Sequence, residues 1–77
     1  MFLEIITPEK TLFSGDINYI RLPGSLGVFE VLKNHAPLIS TLDAGQIKVR
    51  KQEGGEELFD VNAGFVEVLN NKVIVLV

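Results

Sequence analysis

Hydrophobic and polar positions alternate along this chain in short runs, and no window of about ten residues settles into a capped helical period. Gln46-Ile47-Lys48-Val49-Arg50-Lys51 shows the alternation most plainly, with Ile47 and Val49 inward and Gln46, Lys48 and Arg50 in water. Phe2–Ile6 is rich in β-formers and ends at the turn Thr7-Pro8-Glu9-Lys10. Leu12-Phe13 is a short apolar pair stopped by Ser14-Gly15. From Asp16 to Leu22, one face carries Asn18, Ile20 and Leu22 and the other Ile17, Tyr19 and Arg21. Both faces are partly apolar, so one side is expected to meet another layer or a partner. Glu57–Val61, Phe65–Leu69 and Lys72–Val77 follow, separated by Asn62-Ala63-Gly64 and by Asn70-Asn71. Glu53-Gly54-Gly55-Glu56 and Asn70-Asn71 are hairpin turns, because glycine and asparagine tolerate the positive φ that such turns require. Val73–Val77 is apolar at every position, as expected of a strand covered on both faces. Many short strands with frequent turn signals predict an all-β fold, an antiparallel β-sandwich or flattened barrel.

Pro23 to Ile47 is punctuated differently. It holds Gly24, Gly27 and Gly45, Pro23 and Pro37, and the only histidine, His35. Pro23-Gly24-Ser25-Leu26-Gly27 reads as a tight surface loop, because both glycines can take positive φ. The apolar run Val28–Leu32 follows, and then a second loop that Pro37 stiffens by fixing its own φ and extending Ala36. Asp43-Ala44-Gly45 marks another turn after Ser40-Thr41-Leu42. Leu26, Val28, Phe29 and Ala36-Pro37-Leu38 put apolar groups in or beside loops, where they either tuck under the domain or face a partner. Two rigid loops around one short strand make a shaped binding edge.

Composition narrows the function classes. A chain of 77 residues makes one domain, and one this short buries only about 60% of its unfolded surface. The net charge of −3 argues against nucleic acid as the main partner. No cysteine is present, so no disulfide framework or thiolate zinc site can form, and one histidine leaves a zinc site short of ligands. No calcium-loop spacing relates Glu53, Glu56, Glu57 and Asp60. Neither a signal peptide nor an apolar run of the ~18 residues that a membrane span needs is visible. His35 as a general base would need an orienting carboxylate and a nucleophile, and nothing in a strand-and-loop path makes Ser40, Thr41 or Asp43 converge on it. Gly24-x-x-Gly27 continues into Val28-Phe29, where a phosphate-binding loop needs Lys-Ser/Thr. Lys48, Arg50 and Lys51 form the only basic cluster. A small nucleic-acid-binding β-barrel is the alternative reading they raise, but Ile47 and Val49 are not the exposed aromatics such a surface uses. No catalytic residue, metal site or cofactor site is expected.

Gly24-x-x-Gly27, His35-Ala36-Pro37-Leu38 and Gly45-x-Ile47 together resemble the signature of the epsilon subunit of F-type ATP synthases, called delta in mitochondria. Phe13-Ser14-Gly15 and Asn62-Ala63-Gly64-Phe65-x-Glu67-Val68 fit the same family in order and spacing, so the resemblance spans nearly the whole chain. It implies a β-sandwich of about ten short strands over residues 1–77, with the family's C-terminal pair of helices absent. It also implies a non-catalytic central-stalk subunit that joins gamma to the membrane ring of c subunits and couples proton translocation to ATP synthesis. Without those helices, inhibition of hydrolysis is not expected. By position, Ser25, Leu26, Gly27, Val28, Phe29 and Glu30 resemble the family's loop facing the c-ring. Thr7, His35, Ala36, Pro37 and Leu38 resemble positions on or beside its gamma-facing surface. The implied place is the cytoplasmic face of an energy-transducing membrane, peripheral and without direct insertion, as in a bacterial plasma membrane. The family often has glycine at Glu30 and Pro-Gly at Lys33-Asn34, which predicts a different path here for the loop before His35.

Overall fold

The computed structural model describes all of Met1–Val77 as eight strands: β1 (Phe2–Ile6), β2 (Thr11–Gly24), β3 (Gly27–Leu32), β4 (Leu38–Leu42), β5 (Gly45–Lys51), β6 (Glu56–Val61), β7 (Gly64–Leu69) and β8 (Lys72–Leu76). Their pairing makes a flattened barrel of two layers. The first half of β2 pairs with β1, which continues through β8 and β7 to β4. The second half pairs with β3 on one side and β5 on the other, and β5 carries β6 at the free edge. A single bridge, Gly24 to Leu42, joins the end of β2 back to β4.

The expected break at Ser14-Gly15 is therefore overturned, because β2 runs unbroken for 14 residues. Gly15 pairs with Leu3 inside the ladder. The change of layer comes further on, at Asn18. Ile17 pairs with Lys51 and Tyr19 with Arg50, so Asn18 is an extra residue, a β-bulge that bends the strand. It also shifts the alternation by one, and Ile17 and Ile20 both reach the core fully buried. That shift is why both faces of Asp16–Leu22 look apolar in sequence. One long strand serving both layers also brings the count to eight instead of about ten. The antiparallel expectation has one exception. β1 and β8 run parallel, side by side, and the six strands between them in sequence make the long connection that a parallel pair requires.

Leu3, Ile5, Ile20, Leu22, Val31, Ile47, Val49, Val66, Val68, Val73 and Val75 have no more than 1% exposure, and no polar or charged side chain is buried among them. The core is thus entirely aliphatic, with Leu12, Phe13, Phe29 and Phe59 closing its rim. The hairpin turns follow their residue chemistry. Asn70 and Asn71 take φ of 52° and 61°, a primed two-residue turn between β7 and β8. Gly54 and Gly55 also take positive φ, but the loop is wider than a two-residue turn, with Lys51 N–H donating to Gly55 O at 3.0 Å. Val73–Val77 departs from expectation. Val73 and Val75 are buried, whereas Leu76 is 47% exposed, so only one face of β8 is covered by this chain.

Candidate functional site

The β2–β3 hairpin carries the residues expected to face a ring. Gly24 pairs with Gly27, leaving Ser25-Leu26 as a two-residue tip. Only Gly27 takes positive φ, at 133°; Gly24 is in the strand and is needed for a different reason. A Cβ at Gly24 would lie 2.7 Å from both Gly27 O and the Phe29 ring. The tip is braced from the far layer. Thr41 Oγ1 donates to Ser25 Oγ at 2.8 Å, and Ser25 Oγ donates to Asp43 Oδ1 at 2.9 Å. Backbone bonds from Ser25 N to Thr41 O and from Asp43 N to Pro23 O complete the clasp at 3.0 and 2.8 Å. Beyond this clasp Leu26 stands fully exposed and Val28 is 61% exposed, while Phe29 turns back against the core. The hairpin is a stiff prong with an apolar tip.

Glu30 lies on the outer face of this layer and accepts from the Tyr19 hydroxyl at 2.6 Å. Arg50 covers the Tyr19 ring, its guanidinium carbon 4.3 Å from the centroid, and its Nε donates to Glu56 Oε2 at 2.8 Å. Lys48 Nζ stands 3.7 Å from the same oxygen. The hydrogen bond to Glu30 raises the Tyr19 phenol above its ordinary pKa, with desolvation second. The hydrogen bond from Arg50 holds the Glu56 carboxyl below the ordinary range. An aromatic does lie beside the basic strand, contrary to the sequence reading, but Arg50 caps it and Glu56 engages both Lys48 and Arg50. That arrangement leaves no open stacking platform for a base.

The residues expected to face gamma fall at two ends of the other layer. Thr7 closes its own turn, with its hydroxyl donating to Lys10 O and accepting from the Glu9 and Lys10 amides. It borders a shallow apolar groove of about 480 Å³ with Ile6, Pro8, Ala63 and Leu76. His35, Ala36, Pro37 and Leu38 lie at the opposite end of β4, five residues long, or roughly 15–20 Å away at strand rise. The turn before His35 closes with His35 N donating to Leu32 O at 3.2 Å, and Asn34 takes φ of 62°. Positive φ at the third position alone is the type II pattern, which a Pro-Gly pair would also satisfy. Lys33-Asn34 makes a turn of that kind. Asn71 Oδ1 accepts from Asn34 N at 2.9 Å and ties this turn to the β7–β8 hairpin.

His35 donates through Nδ1 to Ala36 O at 2.7 Å. Ser40 donates to Thr41 O, and Asp43 is engaged by Ser25, so neither serves the imidazole. Between the two ends runs an outward face that sequence reading did not assign. Ile39, Phe65, Leu69 and Leu76 are exposed on it, with Ile39 at 65%, and the half-buried Ile74 lies among them. The signal was present: these residues sit out of phase with Val66, Val68, Val73 and Val75, so β7 and β8 carry apolar residues on both faces, with Glu67 among the outward ones. No helix of the structure is long and apolar enough to cross a membrane.

Comparison with known proteins follows this geometry. The family described as ATP synthase, Delta/Epsilon chain, beta-sandwich domain matches residues 1–77. The ATP synthase epsilon chain of Chlorobaculum tepidum is 45% identical over 74 residues, covering 96% of this chain and 84% of that one. The epsilon chain of Dichelobacter nodosus is 42% identical over 72 residues, covering 94% of this chain and 50% of its own length. Among solved structures, a chain in the OSCP/F1/c-ring of the Euglena gracilis mitochondrial ATP synthase superposes with a TM-score of 0.86 at 18% identity, covering 96% of this chain and 48% of that one. A chain in the central stalk/c-ring of the Tetrahymena thermophila mitochondrial ATP synthase gives 0.81 at 19% identity, with 99% and 61% covered. At such low identity these two speak for the fold.

Proposed function

The chain belongs to the ATP synthase delta/epsilon β-sandwich family, and from that premise we propose that it is a non-catalytic rotor subunit joining gamma to the c-ring. In this reading the Ser25–Glu30 hairpin faces the polar loops of the ring. The outer face from Thr7 to His35-Ala36-Pro37-Leu38, with Ile39, Phe65, Leu69 and Leu76 between, lies against gamma. The domain stands peripherally at the cytoplasmic side of an energy-transducing membrane, and proton-driven rotation of the ring passes through it as torque.

The observation that carries this reading is the braced hairpin. A loop meant only to connect β2 and β3 has no need of the Thr41–Ser25–Asp43 clasp, nor of a leucine held fully in water at its tip. Stiffness is what a torque-bearing contact requires, since a tip that yields would let the ring slip. The test is Gly27→Val in the reconstituted complex. Positive φ disfavours a β-branched residue by about 1–3 kcal/mol, and open space surrounds the site, so the strain stays local to the tip. The sandwich should remain folded while hydrolysis becomes uncoupled from proton pumping. Normal pumping with this variant would remove the ring-facing assignment. Independently, tagged chain isolated from its own cells should bring down a gamma-like subunit in equal amount.

A further inference from the structure

Glu30 is the only charged residue of β3, and its carboxylate is not free. The Tyr19 hydroxyl donates to Oε2 at 2.6 Å, the length of a charge-assisted O–H···O bond. Arg21 stands directly across the β2–β3 pairing from Glu30, yet the phenol on the diagonal holds the carboxylate. The phenol is itself held, because Arg50 lies on its ring and is anchored by Glu56. A continuous relay therefore crosses the layer from β6 to β3: Glu56, Arg50, Tyr19, Glu30. The other carboxylate oxygen of Glu30, Oε1, has no partner within the chain.

We propose that Tyr19 is a positioning residue for the rotor contact, holding Glu30 so that Oε1 meets a hydrogen-bond donor on the ring loops beside the apolar tip at Leu26. This rests on the ring-facing reading of the hairpin. A carboxylate already ordered loses less freedom on binding than one that swings, so the gain lies in preorganisation. The upward shift of the phenol, caused first by Glu30, agrees with the bond seen in the geometry. The charged groups around the phenol are Glu30 on β3, Arg21 on β2, Arg50 and Lys48 on β5, and Glu56 on β6.

The chain has one tyrosine and no tryptophan, so tyrosinate absorbance titrates Tyr19 alone. In the 77-residue chain this phenol should ionise above the ordinary value of about 10. Glu30→Ala should lower it, since the hydrogen bond and the charge of Glu30 are then both gone while Arg50 and Arg21 remain. A titration that Glu30→Ala does not move overturns the proposal. In the complex, Tyr19→Phe keeps the ring and its Arg50 stack but drops the hydroxyl. Attachment of the stalk to the detergent-solubilised ring should weaken about 3- to 10-fold, the effect of ordering one side chain on binding, while the sandwich stays folded with its unfolding midpoint only slightly lowered by the lost hydrogen bond. Adding Tyr19→Phe to Glu30→Ala should cause no further loss, because Tyr19 acts through Glu30. Additive losses would mean a merely structural tyrosine and overturn the proposal. So would full attachment of Tyr19→Phe in a system where Leu26→Asp detaches, which leaves the ring reading standing. If Leu26→Asp also stays attached, the ring reading fails and the proposal with it.

Discussion

At the scale of single residues, His35 is the side chain that most invites a chemical role, and its geometry gives it a bracing one. Its Nδ1–H closes on Ala36 O at 2.7 Å in an exposed loop. His35→Ala should therefore lower unfolding stability by about 1 kcal/mol, read by denaturant melts, and leave ATP synthesis in the assembled complex. Loss of synthesis in a complex of normal stability would contradict this. Glu56 gives a prediction in pH. Its folded pKa is depressed by the bond from Arg50, so its contribution is present above the ordinary carboxylate pKa and lost as pH falls through the folded value. Tyr19 has the opposite sense, its contribution being present below the ordinary phenol pKa and lost as pH rises through the raised one. Glu56→Gln should accordingly flatten the acid limb of stability against pH without changing the alkaline limb; an unchanged acid limb would show that the pair contributes nothing. Sequence alone made Lys48, Arg50 and Glu56 a basic cluster and an acidic tip, since a register of Arg50 opposite Glu56 is settled only once β5 and β6 pair.

At the scale of elements, most strands were legible because a half-buried strand writes its burial into every second residue. Gln46–Lys51 is of this kind, and the Asn70-Asn71 turn was legible from the positive φ that asparagine tolerates. β2 was not, for two physical reasons. Ser14-Gly15 weakens propensity without ending a strand whose neighbour β1 supplies the ladder, and the bulge at Asn18 reverses the phase that alternation depends on. Gly64 shows a related limit. In sequence it breaks a pattern, whereas in the fold it begins β7, with its missing Cβ allowing Leu76 O to approach within 2.6 Å of where that atom would be. Backbone cannot yield there as a flexible side chain could. Gly64→Ala should cost about 1–3 kcal/mol, measured as a lowered denaturant midpoint, and a neutral result would show that the β7–β8 edge is looser than this packing implies. The candidate hairpin was found from its glycines and apolar residues. Its clasp was not, because Thr41 and Asp43 lie 16 and 18 residues from Ser25 in sequence.

At the scale of the whole molecule, the two layers present unlike surfaces. One bears the ion-paired relay and the apolar-tipped prong. The other bears the exposed Ile39, Phe65, Leu69 and Leu76, with Glu67 and the Lys72–Glu4 pair among them. An aliphatic core with paired strands on nearly every side gives the domain rigidity. The family resemblance, carried by spaced motifs, implies partners that periodicity and charge could not, since exposed apolar residues have no address of their own. The most direct measurement is proton pumping driven by ATP hydrolysis in vesicles carrying a complex depleted of this subunit. Adding the 77-residue chain should restore pumping for each ATP hydrolysed, and the Gly27→Val chain should bind without restoring it. Hydrolysis that stays uncoupled although the wild-type chain is bound at full occupancy would contradict its role as the joint between stalk and ring.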